Sequence, residues 1–314
     1  MKKWLIGFIL LLFLFFVGTY FFIPRKIVIT RAVNANANQA GVFRFLSEEK
    51  NWKRWWPGEI TESNDSTAMF EAGGYCFTKT GTHFNSFDFS IKKDKQTFNS
   101  LLQLFSINIS NVKIVWSATI NTGLNPFNRI GAYFDVKKLG RSLDSILVSM
   151  KSQISNVQDV YGFDIKEEKV KIEFMISTKR TFDHYPSTEN IYEMLNQVKK
   201  YITNLQAKKE DYPMLHVTMI DSFNYLAQVA IPIDRQLPDS GIFTSKRMLK
   251  NGNILVVQVS GGSNKIDSAM KQMDLYISDH QYNNVAIPYQ SIITDRTQET
   301  DTSKWVTKIY FPIR

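Results

Sequence analysis

Apolar residues recur along this chain with two periods. Where they alternate with polar ones, successive side chains would point to opposite faces, and the segment predicts a strand. Residues 27–33 read this way. Glu168 to Ile176 does too, and Ser86 to Ile91, Ser100 to Asn108, Lys113 to Ile120, Leu215 to Ile220, Tyr225 to Ile233, Ile254 to Val259, Tyr289 to Ile293 and Lys304 to Ile313 are the other strand candidates. Where apolar residues fall three and four apart, one face of a helix is predicted. Gln39 to Leu46 is a short helix of this kind, with Val42, Phe43 and Leu46 inward. A long one carries Leu139, Leu143, Ile146, Leu147, Met150 and Ile154, after a break marked by Asn125-Pro126 and Gly131.

Two further helices repeat each other. One carries Ile191, Met194, Leu195, Val198, Tyr201 and Ile202, with Ser187 as its N-cap. The other carries Ile266, Ala269, Met270, Met273, Tyr276 and Ile277, the same pattern offset by 75, after the turn Gly261-Gly262-Ser263-Asn264. The strands that follow also match. Tyr225, Ala227, Val229 and Ile231 end in Pro232-Ile233, whereas Trp305, Thr307, Ile309 and Phe311 end in Pro312-Ile313, an offset of 80. Fixed-period self-similarity is strong evidence of architecture. Two copies are too few for a solenoid, so one pseudo-symmetric domain of strand, helix, strand, strand, twice over, is expected, with a groove between the halves.

The first apolar run has no period. Trp4 to Ile23 is 20 residues without a charge. As a helix it would span about 30 Å, the thickness of a bilayer core. Lys2, Lys3, Arg25 and Lys26 flank it, and Trp4, Tyr20, Phe21 and Phe22 are placed as interfacial anchors. Its exit, Gly18-Thr19-Tyr20-Phe21-Phe22-Ile23-Pro24, is bulky and lacks a small-x-small cleavage site, so an uncleaved single-pass anchor is expected. Arg25, Lys26 and Arg31 nearly balance Lys2 and Lys3, so charge does not set an orientation.

The division that follows is an anchor over 1–26, a first folded domain over 27–155, a linker over 156–164 and the duplicated domain over 165–314, with halves at about 165–235 and 241–314. The chain of 314 residues is 44% hydrophobic and 13% aromatic, enough for a core in each domain. The net charge of +9 is not a nucleic-acid footprint, because it is spread out. The runs Lys92-Lys93-Asp94-Lys95 and Lys199-Lys200 read as solvated faces. A single cysteine, Cys76, excludes an internal disulfide framework and reads as a small buried hydrophobe. There is no Gly-rich phosphate loop, nucleophile elbow or metal-ligand spacing, and His83, His184, His216 and His280 are scattered. Gly261-Gly262 reads as a tight turn before a helix rather than an anion nest. No cofactor or metal is called for.

The order of the first domain is an opening strand, the helix Ala40-Gly41-Val42-Phe43-Arg44-Phe45-Leu46, the segment Trp52-x-x-Trp55-Trp56-Pro57, antiparallel strands, and Asn125-Pro126-Phe127 leading into a long helix. It resembles the helix-grip domain of the START/polyketide-cyclase (SRPBCC) superfamily. The resemblance implies a curved sheet around the long helix, enclosing an apolar cavity, and the binding or transport of a hydrophobic molecule. Trp52, Trp55 and Trp56 would then be ligand contacts or core packing.

The doubled unit, ending in Ala230-Ile231-Pro232-Ile233-Asp234 and Ile309-Tyr310-Phe311-Pro312-Ile313, resembles the GyrI-like effector-binding domain of bacterial transcription activators. The resemblance implies a groove that binds amphipathic or cationic small molecules, with stacking aromatics and a countercharging Glu. The segment Ile287-Pro288-Tyr289-Gln290-Ser291-Ile292 sits where that family often has an aromatic followed by Glu, so this chain offers an amide in place of the acid. Tyr192, Tyr225, Tyr289 and Trp305 are the candidate groove aromatics beside Gln290, with Tyr225 expected opposite Trp305. No helix-turn-helix partner is readable, so nucleic acid is not an expected partner.

The expected whole is an α+β protein with a transmembrane helix, a helix-grip domain and a duplicated domain, anchored in a bacterial inner membrane. It would bind or sense a hydrophobic or amphipathic small molecule. Two other readings stay open. One is a hydrolase or cyclase, which Glu173 or Glu193 in the groove would favour. The other is a scaffold whose grooves are filled by side chains.

Overall fold

The structure, a computed structural model, describes residues 2–62, 68–94 and 96–314, and of Lys2, Lys3, Leu5, Ile6, Leu12 and Glu62 only the backbone. Lys95 of the basic run above lies outside the described residues. The chain divides into two compact units, Met1–Val160 and Tyr161–Arg314, the division falling within the segment expected as a linker. That segment carries the short helix α4, Val157–Tyr161.

Helix α1, Lys2–Phe22, opens the first unit. The expected transmembrane span is not found: among the described residues no helix is long and apolar enough to cross a membrane. Helix α1 is 21 residues long. Its outer side chains, among them Phe13, Leu14 and Phe15, are exposed. The far end is tied down, with the Tyr20 hydroxyl donating to Leu124 O (2.6 Å) and the Arg129 guanidinium lying 4.4 Å over the Tyr20 ring.

Seven strands follow: β1 (Lys26–Ala35), β2 (Ile60–Glu62), β3 (Ala68–Ala72), β4 (Tyr75–Thr82), β5 (Ser86–Lys93), β6 (Gln96–Asn108) and β7 (Asn111–Asn121). They form one antiparallel sheet in the order β1-β7-β6-β5-β4-β3-β2. Between β1 and β2 lie α2 (Gln39–Ser47), capped by the Asn38 side chain, and a 3-10 turn at Glu49–Arg54. Helix α3, Pro126–Ile154, starts on an Asn125 cap with proline in its first turn and buries Leu139, Leu143, Ile146, Leu147, Met150 and Ile154.

The tryptophan segment is core. Trp52, Trp55 and Trp56 are buried, each ring within 6 Å of the next, and Trp52 also packs on Phe70 and Phe89. The Trp52 indole donates to Leu46 O and the Trp56 indole to Glu71 O. Only the Trp55 Nε1 in this group has no partner. Gly58 is required next to this cluster, since a Cβ there would sit 1.8 Å from Glu71 O. The space expected for an apolar ligand is therefore occupied by rings that satisfy one another.

The second unit is one antiparallel sheet of eight strands in the order β12-β9-β11-β10-β14-β15-β13-β8. Its first half is β9 (Phe174–Phe182), α5 (Thr188–Asn204), β10 (Met214–Met219) and β11 (Tyr225–Ile233). The second is β13 (Asn253–Ser260), α6 (Ser263–Asp279), β14 (Tyr289–Ile292) and β15 (Val306–Ile313). Strands β8 (Lys166–Lys169) and β12 (Thr244–Arg247) take the two edges. The order reads the same from both ends, as a duplication requires.

The strand expected over Glu168 to Ile176 is broken. β8 pairs with β13, whereas β9 pairs with β11 and β12. Between them Ile172 packs with Met175, Met214 and Tyr289, but Phe174 and Ile176 belong to the core under α5. These apolar residues share one parity but serve opposite faces of the sheet, so the chain has to leave the ladder between them.

Truncating Trp52 to alanine is expected to cost about 3–5 kcal/mol, the usual loss for a large buried aromatic. Urea denaturation followed by fluorescence checks this, and near-wild-type stability would return Trp52 to the ligand-contact role.

Candidate functional site

The two halves of the second unit meet at β10 and β14, where Met214 pairs with Ser291 and Leu215 with Gln290. With the offset of 75, Leu215 and Gln290 are repeat-equivalent. The pseudo-twofold axis therefore passes between them, and both side chains point to the face that carries α5 and α6.

On that face lies a groove of about 250 Å³. Its floor is Leu215 and Gln290. Its sides are the starts of the two helices, with Ser187, Thr188 and Ile191 from α5 and Ser263, Ile266 and Asp267 from α6. Tyr185, Arg296 and Trp305 complete it. Both 17-residue helices thus aim their N-terminal ends, where backbone N–H groups are unpaired, at one space. The two ends differ. In α5 a Ser187–Asn190 capping box and Glu189 already satisfy it. In α6 the cap is Gly262, with no side-chain hydrogen bond and no acid in the first turn. Gly261, at φ +140°, lets the chain turn into α6 and donates to Trp305 O (2.8 Å).

Gln290 is 8% exposed, yet its side chain has no hydrogen-bond partner among the described residues. Arg296 is the second unusual group. Its guanidinium lies 4.8 Å over the Trp305 ring and donates through Nη2 to Thr307 Oγ1 (3.0 Å). The Nε–H is buried without a partner. No carboxylate forms an ion pair with it among the described residues. Burial pulls the guanidinium below its ordinary range, yet an arginine keeps its charge. The loop that delivers it is fixed: Arg296 N donates to the Tyr192 hydroxyl (2.7 Å), and the Trp305 indole donates to Glu299 O (2.8 Å).

Of the residues expected in the groove, Gln290 and Trp305 are there. Tyr192 lies beneath Arg296, almost fully buried, as a support rather than a wall. Tyr225 does not face Trp305 across the groove; it packs edge-on against Tyr185 (5.6 Å), which lines the groove in its place. Tyr289 is on the opposite face of the sheet, because it precedes Gln290 on the same strand. There it stacks on Tyr310 at 5.1 Å and borders a cavity of about 320 Å³ with Met175, Met214 and Met248. The polar groups bordering that cavity include two with partners: His216 Nδ1 is bonded to Pro288 O, and Arg247 is paired with Glu173. Glu173 and Glu193, the acids that would favour hydrolysis, are held by Arg247 and Arg180 and do not line the groove. Trp52, Trp55 and Trp56 belong to the core of the other unit.

Arg296 was not legible as a site residue, but a signal existed. The repeat offset grows from 75 at the helices to 80 at the last strand, so five extra residues enter the second copy between them. Arg296 lies in that longer connection.

No protein-family model matches the chain, and no curated protein does. Among solved structures, the C-terminal domain of EcmrR is similar over 48% of this chain and 98% of its own, at 12% identity and a TM-score of 0.41. A START superfamily protein from Mycobacterium smegmatis is similar over 40% of this chain and 96% of its own, at 10% identity and a TM-score of 0.31. SAV2435, solved bound to tetraphenylphosphonium, is similar over 48% and 93%, at 14% identity and a TM-score of 0.33. None of these values carries a ligand or an activity to this chain.

The stacked pair on the far face gives a pH signature. Burial, with smaller contributions from Glu168 and Asp211, pushes the Tyr310 phenol up to about 12. Burial first, then Tyr310 and Asp211, raises Tyr289 further. An unfolded tyrosine ionises near 10. The stability these neutral phenols contribute is therefore full below about pH 10 and lost as pH rises toward 12. A phenolate absorbance titration should show a late phase that Tyr310→Phe diminishes. A Tyr310 that ionises near 10 would contradict the packing.

Proposed function

We propose that the second unit is an effector-binding domain of the GyrI-like kind, holding a small molecule in the groove over the pseudo-twofold axis. The observation that carries this is the Gln290 side chain, which lines a 250 Å³ space on the repeat axis and has no hydrogen-bond partner among the described residues. The amide can both donate and accept there, and each hydrogen bond a ligand makes with it is worth about 0.5–1.5 kcal/mol. Tyr185, Trp305, Ile191 and Ile266 supply apolar and aromatic walls, which suits a hydrophobic or amphipathic molecule. The first unit, of START-like helix-grip form in this reading, has its interior filled by Trp52, Trp55 and Trp56.

The chain is proposed to be held at a membrane through its N-terminal run. The support is the uncharged stretch Trp4 to Ile23 and two exposed apolar side chains next to Tyr20 and Phe16, Leu124 and Phe127.

Two measurements test these statements. Native mass spectrometry of the gently purified full chain should show a small molecule bound to the wild type and absent from Trp305→Ala. A ligand-free mass, with fluorescence indifferent to neutral, cationic and anionic aromatic probes, would end the binding reading. In alkaline carbonate extraction the full chain should stay with the membrane pellet, and a chain lacking residues 2–22 should be released. Release of the full chain would end the anchoring reading.

A further inference from the structure

We propose that the ligand of this groove is a small organic anion, an aromatic or aliphatic monocarboxylate, taken up by Arg296, the Gln290 amide and the N-terminal end of α6. The proposal rests on the groove being a binding site and adds the charge class of what it holds.

Three independent features agree in sign. Arg296 brings a positive charge into a partly buried site where no described carboxylate pairs with it. A guanidinium in such a place is a ready donor to a carboxylate, in a planar fork that suits one. Gln290 stands at the position where the GyrI-like resemblance implies a Glu, and an amide can donate to an anion. The start of α6 adds backbone N–H donors and the positive end of a helix dipole, with no cap or first-turn acid to neutralise it.

The opposing charge is Asp267 at the rim. It is exposed, so solvent and salt screen it, whereas Arg296 is partly buried and its field is not screened in that way. A lipophilic cation, the ligand that the resemblance implies, would enter against Arg296 with no acid at position 290 to receive it. The body of the ligand is set by the remaining walls. Trp305 already holds the guanidinium on one face of its ring, and Tyr185, Ile191 and Ile266 leave an apolar space for a ring or a short chain.

The test uses three probes with one ring system: 2-naphthoate, 2-naphthamide and 2-naphthylmethylammonium, titrated calorimetrically into the full chain in detergent. Naphthoate should bind about tenfold or more tighter than the amide, as a charge-assisted hydrogen bond implies, and the ammonium should bind weakest. Arg296→Gln should remove the advantage of naphthoate over the amide, and Arg296→Lys should restore part of it. Gln290→Glu, which leaves Arg296 untouched, should weaken naphthoate and strengthen the ammonium. An ammonium that binds as well as naphthoate, or a naphthoate preference that survives both Arg296→Gln and Gln290→Glu, overturns the anion assignment while the groove still stands as a site. Failure of all three probes to bind overturns the groove reading itself.

Discussion

The alternation of side chains along β14 decides what the second unit can do. Neighbouring residues on a strand face opposite ways, so Tyr289 and Gln290 cannot serve the same site. The pairing of Leu215 with Gln290 then fixes which of the two lies on the axis between the repeats. The rest of the groove is built around that placement: two helices start on the same face, and the β14–β15 connection brings Arg296 and Trp305 to it. The aromatic stack of Tyr289 and Tyr310 is left to close the other face.

The duplication supplies symmetry, and the site arises where the symmetry fails. Leu215 and Gln290 are equivalent positions, one apolar and one an amide without a partner. Helix α5 starts with a full capping box, but α6 starts on a bare glycine. The connection after β14 is longer than the one after β10, and only the longer one carries a guanidinium into the groove. A symmetric pair of halves would make a neutral, apolar cleft. These three departures make it polar and positive.

Much of this architecture could be read from periodicity. The two helices, the strands that close each half and the Ser187 cap stand where the apolar spacing puts them. What could not be read has physical reasons. Alternation assigns residues to one face or the other but not to a particular neighbour, so it cannot separate Tyr192, Tyr225 and Tyr289 from Gln290 and Trp305, of which the last two share the groove. The run from Val170 to Ile176 keeps one parity while changing sheet faces, which no strand pattern distinguishes from a continuous strand. Arg296 lies in a loop held by turns and side-chain hydrogen bonds, outside any period. In the first unit, tryptophans that fill a core and tryptophans that line a cavity leave the same trace in sequence. Their rings, packed within 6 Å of one another, settle it as core.

The most direct measurement is an NMR titration of the full chain, isotope-labelled at arginine and glutamine side chains and at tryptophan indoles, with 2-naphthoate. The Arg296 Nε–H, the Gln290 amide and the Trp305 indole should shift together and saturate at one concentration, while the indoles of Trp52, Trp55 and Trp56 stay still. Shifts confined to those three indoles, with Gln290 and Arg296 unmoved, would contradict this site.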